Sequence, residues 1–238
     1  MKIDSGQWRR TVVEGALQLD VPVSPEQVKA MGMHARELIL WNRTTNLTAI
    51  TDPLEVAVKH YVDSLAAAAW IEKSARVLDA GSGGGFPGIP LNILRPDLVI
   101  TMADSVRKKV SFLKHTIRTV GLKNIEAVHG RLETLSRQSE YQGRFDMVIC
   151  RAFSSLEDFV VRTAAFLAPR GSLVALKGPQ ADNPHEEDAD GSGKTTIQLG
   201  GASFFIQVHH FKLPILDSQR RVVRLTPLRE EGTMETGR

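Results

Sequence analysis

The residues with the clearest chemical potential form one glycine-rich segment that follows an apolar stretch. Val77 and Leu78 lead into Asp79, and closely spaced glycines run from Gly81 to Gly88. Glycine allows a backbone to turn sharply from a strand into a helix and lets a ligand approach the main chain, because a Cβ would clash there. The segment therefore predicts a ligand-binding loop, with an ordinary tight turn of an α/β protein as the alternative.

A second acidic residue follows at the spacing that a nucleoside site requires. The apolar stretch from Leu98 to Ala103 ends at Asp104. In a doubly wound sheet this carboxylate lies at the end of the neighbouring strand, within reach of a ribose. Asp79 before the first glycine suits a cationic ligand, whereas it would repel a pyrophosphate at the following helix. The pair predicts an adenosine-binding site. The alternative is that Asp104 only supplies a negative charge at the N-terminus of the following helix.

Composition is compatible with an enzyme of one main domain. The chain has 238 residues, 42% of them hydrophobic, which is enough for a full α/β core. A single cysteine, Cys150, excludes an internal disulfide framework and fits a reducing compartment. No apolar segment has the length of a signal peptide or a membrane span. We therefore expect a cytoplasmic protein without a membrane partner.

The charge pattern permits a nucleic-acid partner without requiring one. The formal net charge is +3. Basic residues cluster between Arg107 and Lys123. On an amphipathic helix such a cluster is commonly a solvated outer face, so the choice between this reading and RNA binding stays open.

The elements that must position these residues follow from caps and periodicity. Before about residue 70, Ser24 to Gln27 and Asp52 to Glu55 each give an N-cap followed by proline, and apolar residues then recur at helical spacing. Between these two helices, the polar segment from Trp41 to Thr48 predicts a loop that covers a ligand or caps a helix.

From residue 76 onward strands and helices alternate, which predicts a Rossmann-like α/β fold with a mainly parallel, seven-stranded sheet and helices on both faces. Open sheets of this kind bind ligands at the carboxyl ends of their strands. The predicted strands are 76–80, 98–103, 125–129, 145–150, 172–176, 204–208 and 221–225. The tract 181–201 predicts a mobile loop or insertion. We expect a helical extension over 1–70, the main domain over 71–228 and a disordered tail over 229–238.

Several separate segments together resemble the GidB family, also called RsmG, of bacterial 16S ribosomal RNA guanine-N7 methyltransferases. The similarity runs from about residue 24 to 226, and it excludes the tract 181–201 and the tail beyond Pro227. It rests on Trp41-Asn42 with Asn46-Leu47-Thr48, His60 with Asp63-Ser64, Asp79-Ala80-Gly81-Ser82-Gly83 with Phe86-Pro87-Gly88-Ile89-Pro90-Leu91, Asp104-Ser105 with Lys108-Lys109, Arg151-Ala152-Phe153, and Leu176-Lys177-Gly178.

The resemblance implies a class I methyltransferase that uses S-adenosyl-L-methionine as methyl donor. Its substrate would be one guanine of 16S rRNA, free or within the small ribosomal subunit. Guanine N7 already carries an in-plane lone pair, so the reaction needs no general base, and we assign no catalytic acid or base. We expect no metal, and a monomer is favoured.

The resemblance also assigns cofactor contacts to particular positions. It places them at Gly81 and Phe86 in the glycine loop, at Leu132 and Glu133 after the third strand, and at Arg151 after the fourth. The alternatives are core packing for Phe86 and a helix-cap carboxylate for Glu133.

Four further residues are candidates for the RNA side of the site. Phe153 could stack on the target base, because its electron-rich face would favour the charge that develops on guanine. Arg43, His60 and Lys177 could contact phosphate or base. The alternatives are core packing for Phe153, solvated surface for Arg43 and Lys177, and a packed helix histidine for His60.

Three other functions remain open at this point. A small-molecule methyltransferase would share the cofactor loop, and a nicotinamide-dependent oxidoreductase would also use glycines and a ribose carboxylate. A non-catalytic RNA-binding module with a retained cofactor fold is the third. Thermal stabilisation by S-adenosylhomocysteine rather than NAD would separate the first two.

Overall fold

The computed structural model describes residues 1–151, 153, 155–178 and 195–228. Its strands are β1 Arg76–Ala80, β2 Val99–Asp104, β3 Ile125–His129, β4 Phe145–Cys150, β5 Leu167–Lys177, β6 Thr195–Leu199, β7 Ala202–Leu213 and β8 Ser218–Pro227. They form one sheet in the order β3-β2-β1-β4-β5-β8-β7-β6. The α/β class and the parallel core are confirmed, and the described residues form eight strands where the sequence predicted seven.

The first five strands are parallel, and the last three are antiparallel to their neighbours. The central strands are apolar on both faces, as in Val148 and Ile149, because helices cover both sides of a parallel sheet. The carboxyl ends of β1 to β5 therefore meet at one edge of the sheet. We call it the carboxyl edge.

The helices are α1 Gly6–Leu17, α2 Pro25–Asn42, α3 Pro53–Glu55, α4 Asp63–Leu65, α5 Gly88–Leu94, α6 Arg107–Val120, α7 Leu132–Leu135 and α8 Leu156–Thr163. The predicted cap at Ser24 is a full capping box with Gln27. Asp52 accepts hydrogen bonds from the Leu54 and Glu55 N–H groups. Gly121 ends α6 at φ 76°, a left-handed conformation that favours glycine. These local predictions are confirmed.

A π-helix over Val56–Val62 lies between α3 and α4. A 3-10 helix over Ala66–Trp70 then leads towards β1. The π-helix is almost entirely buried, with Lys59 as its one half-exposed residue. Such segments are rare and occur frequently at functional sites. The sequence predicts a helix here but not its wider hydrogen-bonding pattern.

Two hydrophobic cores lie on the two faces of the sheet. The larger joins the N-terminal helices to one face, through buried residues such as Trp8, Leu38 and Tyr61. The smaller packs α8 against the other face and includes Phe159 and Phe204. Since the first core is continuous from α1 into the sheet, the N-terminal helices pack as an integral layer of the fold.

The last third of the chain departs from the sequence prediction. Within the tract predicted as a loop, Thr195–Leu199 is β6, and it pairs with β7 through Ile197 and Phe204. Residues 181–194 and 229–238 lie outside the described residues. Polar and apolar residues alternate in Thr-Thr-Ile-Gln-Leu, which is typical of a half-buried strand. The pattern is a weak predictor of a strand here, because it is only five residues long and lies beside several glycines. Among the described residues no helix is long and apolar enough to cross a membrane.

Candidate active site at the carboxyl edge

The glycine loop after β1 has the backbone geometry that its sequence predicts. The φ values of Gly81, Gly83 and Gly85 are 79°, 53° and 89°. Residues that carry a side chain rarely adopt such positive values. The N–H groups of Gly81 and Ser82 donate to the Ala103 carbonyl at the end of β2, at 2.9 and 3.1 Å. The loop is therefore fixed to the neighbouring strand. Around Gly81 a Cβ would meet no atom within 4 Å, so the backbone there is open.

Asp79 lies beneath the glycine loop and is not among the residues that line the cavity next to it. Its side chain is fully buried, and its Oδ2 accepts the N–H of Gly88 at 2.9 Å. Its Oδ1 has no hydrogen-bond partner. Burial raises the pKa of Asp79 to about 7, against the lowering effect of the Gly88 N–H. Asp79 thus ties the end of β1 to the first residue of α5, and a Cβ at Gly88 would lie 2.7 Å from the same oxygen.

Asp104 ends β2 beside the glycine loop. Its Oδ2 accepts the Gly83 N–H at 3.0 Å and its Oδ1 accepts the Val106 N–H at 2.8 Å. The residue is 8% exposed. A carboxylate has about four acceptor positions, so two remain for a ligand. Asp104 therefore fixes the loop and presents acceptors to the cavity next to it.

A cavity of about 650 Å³ opens at the ends of β1, β2 and β3. Four of the six residues predicted to bind the cofactor line it: Gly81, Asp104, Leu132 and Glu133. The other lining residues are Ala103, Ser105, Val106, Lys109, Gly130, Arg131 and Arg162. This volume lies within the range of small-ligand sites. Three strand ends thus converge on one site, as open α/β sheets predict.

Glu133 is held by an ion pair that the sequence analysis missed. Arg162 on α8 contacts Glu133 Oε1 and Asp158 Oδ1, each at 2.6 Å. Asp158 and Arg162 are four residues apart on one helix, and this i,i+4 spacing of opposite charges could have been recognised in the sequence. That Arg162 also reaches the cavity depends on how α8 packs beside α7. This placement cannot be read from local spacing.

Arg151, at the end of β4, lies outside the lining of the cavity. Its guanidinium donates to the carbonyls of Lys59 and His60, at 2.7 and 3.4 Å, and to the Ser64 hydroxyl at 3.3 Å. It also contacts Asp63 at 3.2 Å.

Asp63 contacts Arg220 of β8 at 3.4 Å as well. We call these groups the Asp63 network: Asp63, Arg151, Arg220, Ser64 and the two π-helix carbonyls. Burial raises the pKa of the Asp63 carboxyl, while the two guanidinium groups lower it. The network joins β4 and β8 to the N-terminal helices.

Phe86 lies in a ring cluster beneath the glycine loop. It stacks on His60 with ring centres 4.5 Å apart and meets Tyr61 edge-on at 5.3 Å. Arg151 lies over its ring at 5.8 Å. Phe86 is 8% exposed. Its described contacts are those of a packed aromatic residue, which was the alternative reading.

The two histidines of this cluster are buried and neutral. His34 contacts the Gly84 carbonyl at 2.9 Å and the Tyr61 hydroxyl at 3.0 Å. His60 contacts the Thr48 hydroxyl at 2.8 Å and is 7% exposed. Burial lowers the pKa of His34 to about 4 and that of His60 to about 3. His60 therefore lies away from solvent, as a packed helix histidine would.

Two of the other RNA candidates, Phe153 and Lys177, lie at the carboxyl edge, after β4 and at the end of β5. Phe153 is half-buried and packs on Phe159, with ring centres 5.1 Å apart. Lys177 ends β5 and donates to the Phe153 carbonyl at 3.1 Å. Arg43 is exposed after α2. The preceding Asn42 closes the Trp41 to Thr48 loop by accepting the Leu47 and Thr48 N–H groups.

The lining of the cavity fits an adenosine-type cofactor. Asp104 offers acceptors suited to ribose hydroxyls, and Leu132 and Val106 offer apolar surface suited to the faces of a base. The open backbone at Gly81 leaves room that a side chain would fill. Among the described residues no group of three His, Cys, Asp or Glu side chains has the arrangement of a metal site.

The fold and this site define a Rossmann-like α/β domain with a cavity for a nucleoside-type cofactor at its carboxyl edge. A solved structure of a SAM-dependent methyltransferase from Aquifex aeolicus aligns with a TM-score of 0.51, over 77% of this chain and 97% of that one, at 13% identity. At that identity the likeness concerns the fold.

Sequence comparison identifies the family. The family model GidB, rRNA small subunit methyltransferase G, matches residues 27–211. Ribosomal RNA small subunit methyltransferase G of Geobacter sp. (strain M21) is 40% identical over 88% of this chain and 93% of its own length. The protein of that name from Burkholderia multivorans is 37% identical over 91% of each chain. The chain belongs to the GidB family.

Proposed function

We propose that this protein transfers a methyl group from S-adenosyl-L-methionine to N7 of one guanine in 16S rRNA. The observation that carries the proposal is the cavity at the ends of β1, β2 and β3, lined by Gly81, Asp104, Leu132 and Glu133 in a chain of the GidB family. The relatives' names specify the ribosomal RNA of the small subunit. The guanine N7 target follows from the resemblance. We expect the reaction to take place in the cytoplasm and the active form to be a monomer.

Four residues would hold the cofactor. Asp104 would accept the ribose hydroxyls, Leu132 would cover a face of adenine, and Glu133 would lie beside its edge. Gly81 would let the backbone approach the methionine part. The resemblance also assigns Phe86 and Arg151 to the cofactor. Their described contacts support an indirect role, in which they fix the glycine loop against the N-terminal helices.

The cofactor supplies an electrophilic methyl group on a sulfonium. Because guanine N7 loses no proton on methylation, the protein has only to hold the base in line with that methyl. Such positioning can supply on the order of 7–11 kcal/mol. The buried, neutral His34 and His60 support this proposal, since they are packed beneath the loop rather than presented to a substrate.

The target base would approach from the β4 and β5 side of the carboxyl edge. Phe153 would present its ring to the base, and Lys177, which holds the Phe153 carbonyl, would fix that segment. Arg43 would contact phosphate, because it is exposed on the loop beside α2. His60 would act indirectly, by supporting Phe86 through ring stacking.

Mapping of methylated nucleotides tests the proposal directly. 16S rRNA from cells with and without the protein would be compared by mass spectrometry. We expect one N7-methylguanine that disappears with the protein and returns with the purified enzyme and S-adenosyl-L-methionine. An unchanged nucleotide map would contradict the proposed function. Thermal stabilisation by NAD in place of S-adenosylhomocysteine would instead favour the oxidoreductase.

The pH profile tests the choice of N7. A reaction without a general base predicts a single-turnover rate that is nearly flat between about pH 6 and 9. Replacing Arg151 should lower turnover without adding a pH-dependent limb, because it would misplace the loop. A rate that rises tenfold per pH unit would show that the target atom must lose a proton.

A further inference from the structure

Helix α6 presents a cationic surface to solvent beside the cofactor cavity. Four of its exposed residues are Arg107, Lys108, Lys114 and Arg118, and the helix contains no acidic residue. We call these four residues the basic face. From Arg107 to Arg118 it is about 16 Å long, at 1.5 Å per residue. The sequence pattern alone leaves open whether such a cluster is a solvated surface or binds RNA.

The order of charges along α6 works against the stability of the helix. Its first turn holds Arg107, Lys108 and Lys109, although the N-terminus of a helix carries a partial positive charge that disfavours cations. Lys114 and Arg118 are four residues apart, so their like charges repel each other. By contrast, α2 and α8 have acidic residues in their first turns. Folding does not explain the arrangement in α6, whereas binding of an anion would.

The basic face also differs from other cations on helices of this chain in its partners. Arg162 of α8 contacts two carboxylates, and Lys59 of the π-helix contacts Glu55. Within the part of the chain that the structure describes, no ion pair joins the basic face to a carboxylate. The one ion pair described for α6 lies beside the face, where Glu37 of α2 contacts His115 at 2.8 Å. The face therefore keeps its positive charge for a partner from solution.

The position of α6 connects the basic face to the proposed RNA site. Lys109, in the first turn of the helix, lines the cofactor cavity. Along the side of the helix, Trp41 packs against Phe112 and His115, with ring centres 5.7 and 5.2 Å apart. Arg43, the exposed residue proposed to contact phosphate, follows two positions later. Cations thus continue from the border of the cavity along α6 and beside the end of α2.

We propose that the basic face of α6 binds phosphates of the rRNA substrate next to the target guanine. Helix α6 follows β2, whereas Phe153 and Lys177 follow β4 and end β5, on the other side of β1 in the sheet. An RNA that places its target base beside Phe153 would therefore extend across the mouth of the cavity onto α6. The inference rests on the proposed function and assigns α6 the segment of RNA that flanks the target.

A paired charge neutralisation tests the face. The variant is Lys114→Gln with Arg118→Gln, both exposed and outside the lining of the cavity. The matched control is Lys73→Gln with Arg144→Gln, which are exposed just before β1 and β4, at the opposite edge of the sheet. A second control, Lys114→Arg with Arg118→Lys, keeps both charges. Filter binding to a 16S rRNA transcript and to small subunits from cells lacking the protein would be measured over a series of salt concentrations.

We expect the neutralised variant to bind RNA roughly 3- to 10-fold more weakly at about 0.1 M salt. Its slope of log affinity against log salt should fall by about 0.7–0.9 for each phosphate that it no longer neutralises. Both controls should bind as the wild type does. Calorimetric affinity for S-adenosylhomocysteine should stay the same in all three proteins, because none of them changes the cavity.

The first turn of α6 gives a second, independent test. Arg107→Gln with Lys108→Gln should also weaken RNA binding. Its thermal unfolding midpoint should stay the same or rise, because the helix loses two charges that are unfavourable at its N-terminus. A lower midpoint with wild-type affinity for RNA would show that these cations serve the fold, and it would overturn the inference.

Wild-type affinity and salt slope in the Lys114 and Arg118 neutralised variant would also overturn the inference, as would equal weakening by the Lys73 and Arg144 control. Methylation mapped on the same samples keeps the two proposals separate. RNA binding that depends on the basic face without N7 methylation would overturn the proposed function alone. Methylation whose dependence on RNA concentration is the same in the neutralised variant and the wild type would overturn the basic face alone.

Discussion

The cofactor cavity and the Asp63 network lie along the same edge of the sheet, but they are formed by residues with different separations in the sequence. Apart from Arg162 of α8, the cavity is lined by residues at or shortly after the ends of β1, β2 and β3. The network joins residues as far apart in sequence as Asp63, Arg151 and Arg220, all of them largely buried. Local chain geometry therefore forms most of the cavity, whereas long-range charge pairing holds the network together. Substitutions in the cavity should therefore change ligand affinity, whereas substitutions in the network should change the stability of the fold.

The largest expected effect is on the Asp63 network. Asp63→Ala would leave Arg151 and Arg220 without their buried counter-charge, which should cost about 3–5 kcal/mol of unfolding free energy. Urea unfolding measures it. Asp217→Asn, which removes the charge of an exposed pair with Lys212 and still tolerates the backbone at φ 47°, is the control and should change stability little. Similar losses in the two variants would mean that the network is no more than a surface ion pair.

Asp79→Asn tests the buried carboxyl beneath the glycine loop. The pKa of Asp79 is about 7 in the folded chain and about 3.9 in the unfolded one. The folded state therefore holds a proton that the unfolded state releases, so stability falls as pH rises from about 4 to 7 and is constant above that range. The stability of the variant relative to wild type should therefore rise over the same window, by on the order of 3 kcal/mol.

Stability curves of both proteins from pH 4 to 8 measure this difference. His34 and His60 act in the opposite direction, because their lowered pKa values favour the folded state at neutral pH and this advantage is lost on acidification below about pH 6.5. Both proteins retain these histidines, so their contribution cancels in the difference. A difference that does not change with pH would show that Asp79 is ionised throughout.

Asp104→Ala tests the cavity itself. Loss of acceptors for the ribose should weaken S-adenosyl-L-methionine binding by roughly 1.5–3 kcal/mol, measured by calorimetry. Asp146→Ala is a matched control, because Asp146 accepts the Arg76 N–H at 2.8 Å at the other edge of the sheet. Wild-type affinity in Asp104→Ala would remove this residue from the cofactor site.

The smallest expected effect is at Glu133. Its pair with Arg162 is exposed, so Glu133→Gln should leave the unfolding midpoint nearly unchanged. Cofactor affinity should fall roughly two- to fivefold if Glu133 lies beside the adenine. Asp158→Asn breaks the other contact of Arg162 without altering a residue that lines the cavity, and it should bind the cofactor normally. Equal losses in both variants would assign the effect to Arg162.

The sequence predicts the cofactor cavity far better than the Asp63 network. The bounds of β1, β3 and β4, the glycine loop and the cap at Gly121 follow from short-range patterns, and the structure has them where predicted. The contacts of Arg151 depend on where the N-terminal helices pack, up to 92 residues away. Short-range patterns carry no information about such packing.

The errors have the same origin. β6 was missed because its five residues gain their stability from pairing with β7, which tertiary structure provides. Arg162 was missed because α8 brings it to the cavity across α7. His60 and Phe86 are recognisable as a pair only once the π-helix lies beneath the glycine loop.

The π-helix over Val56–Val62 also constrains how this chain can change by insertion or deletion. A π-helical turn holds one residue more than an α-helical turn. Deleting one residue here should convert the segment into a regular α-helix, whose tighter winding changes the directions in which its carbonyl groups point. The carbonyls of Lys59 and His60 would then no longer face Arg151. A single-codon deletion in this segment should therefore be more damaging than most point substitutions, and the spacing between Asp52 and Asp63 should be inherited as a fixed length.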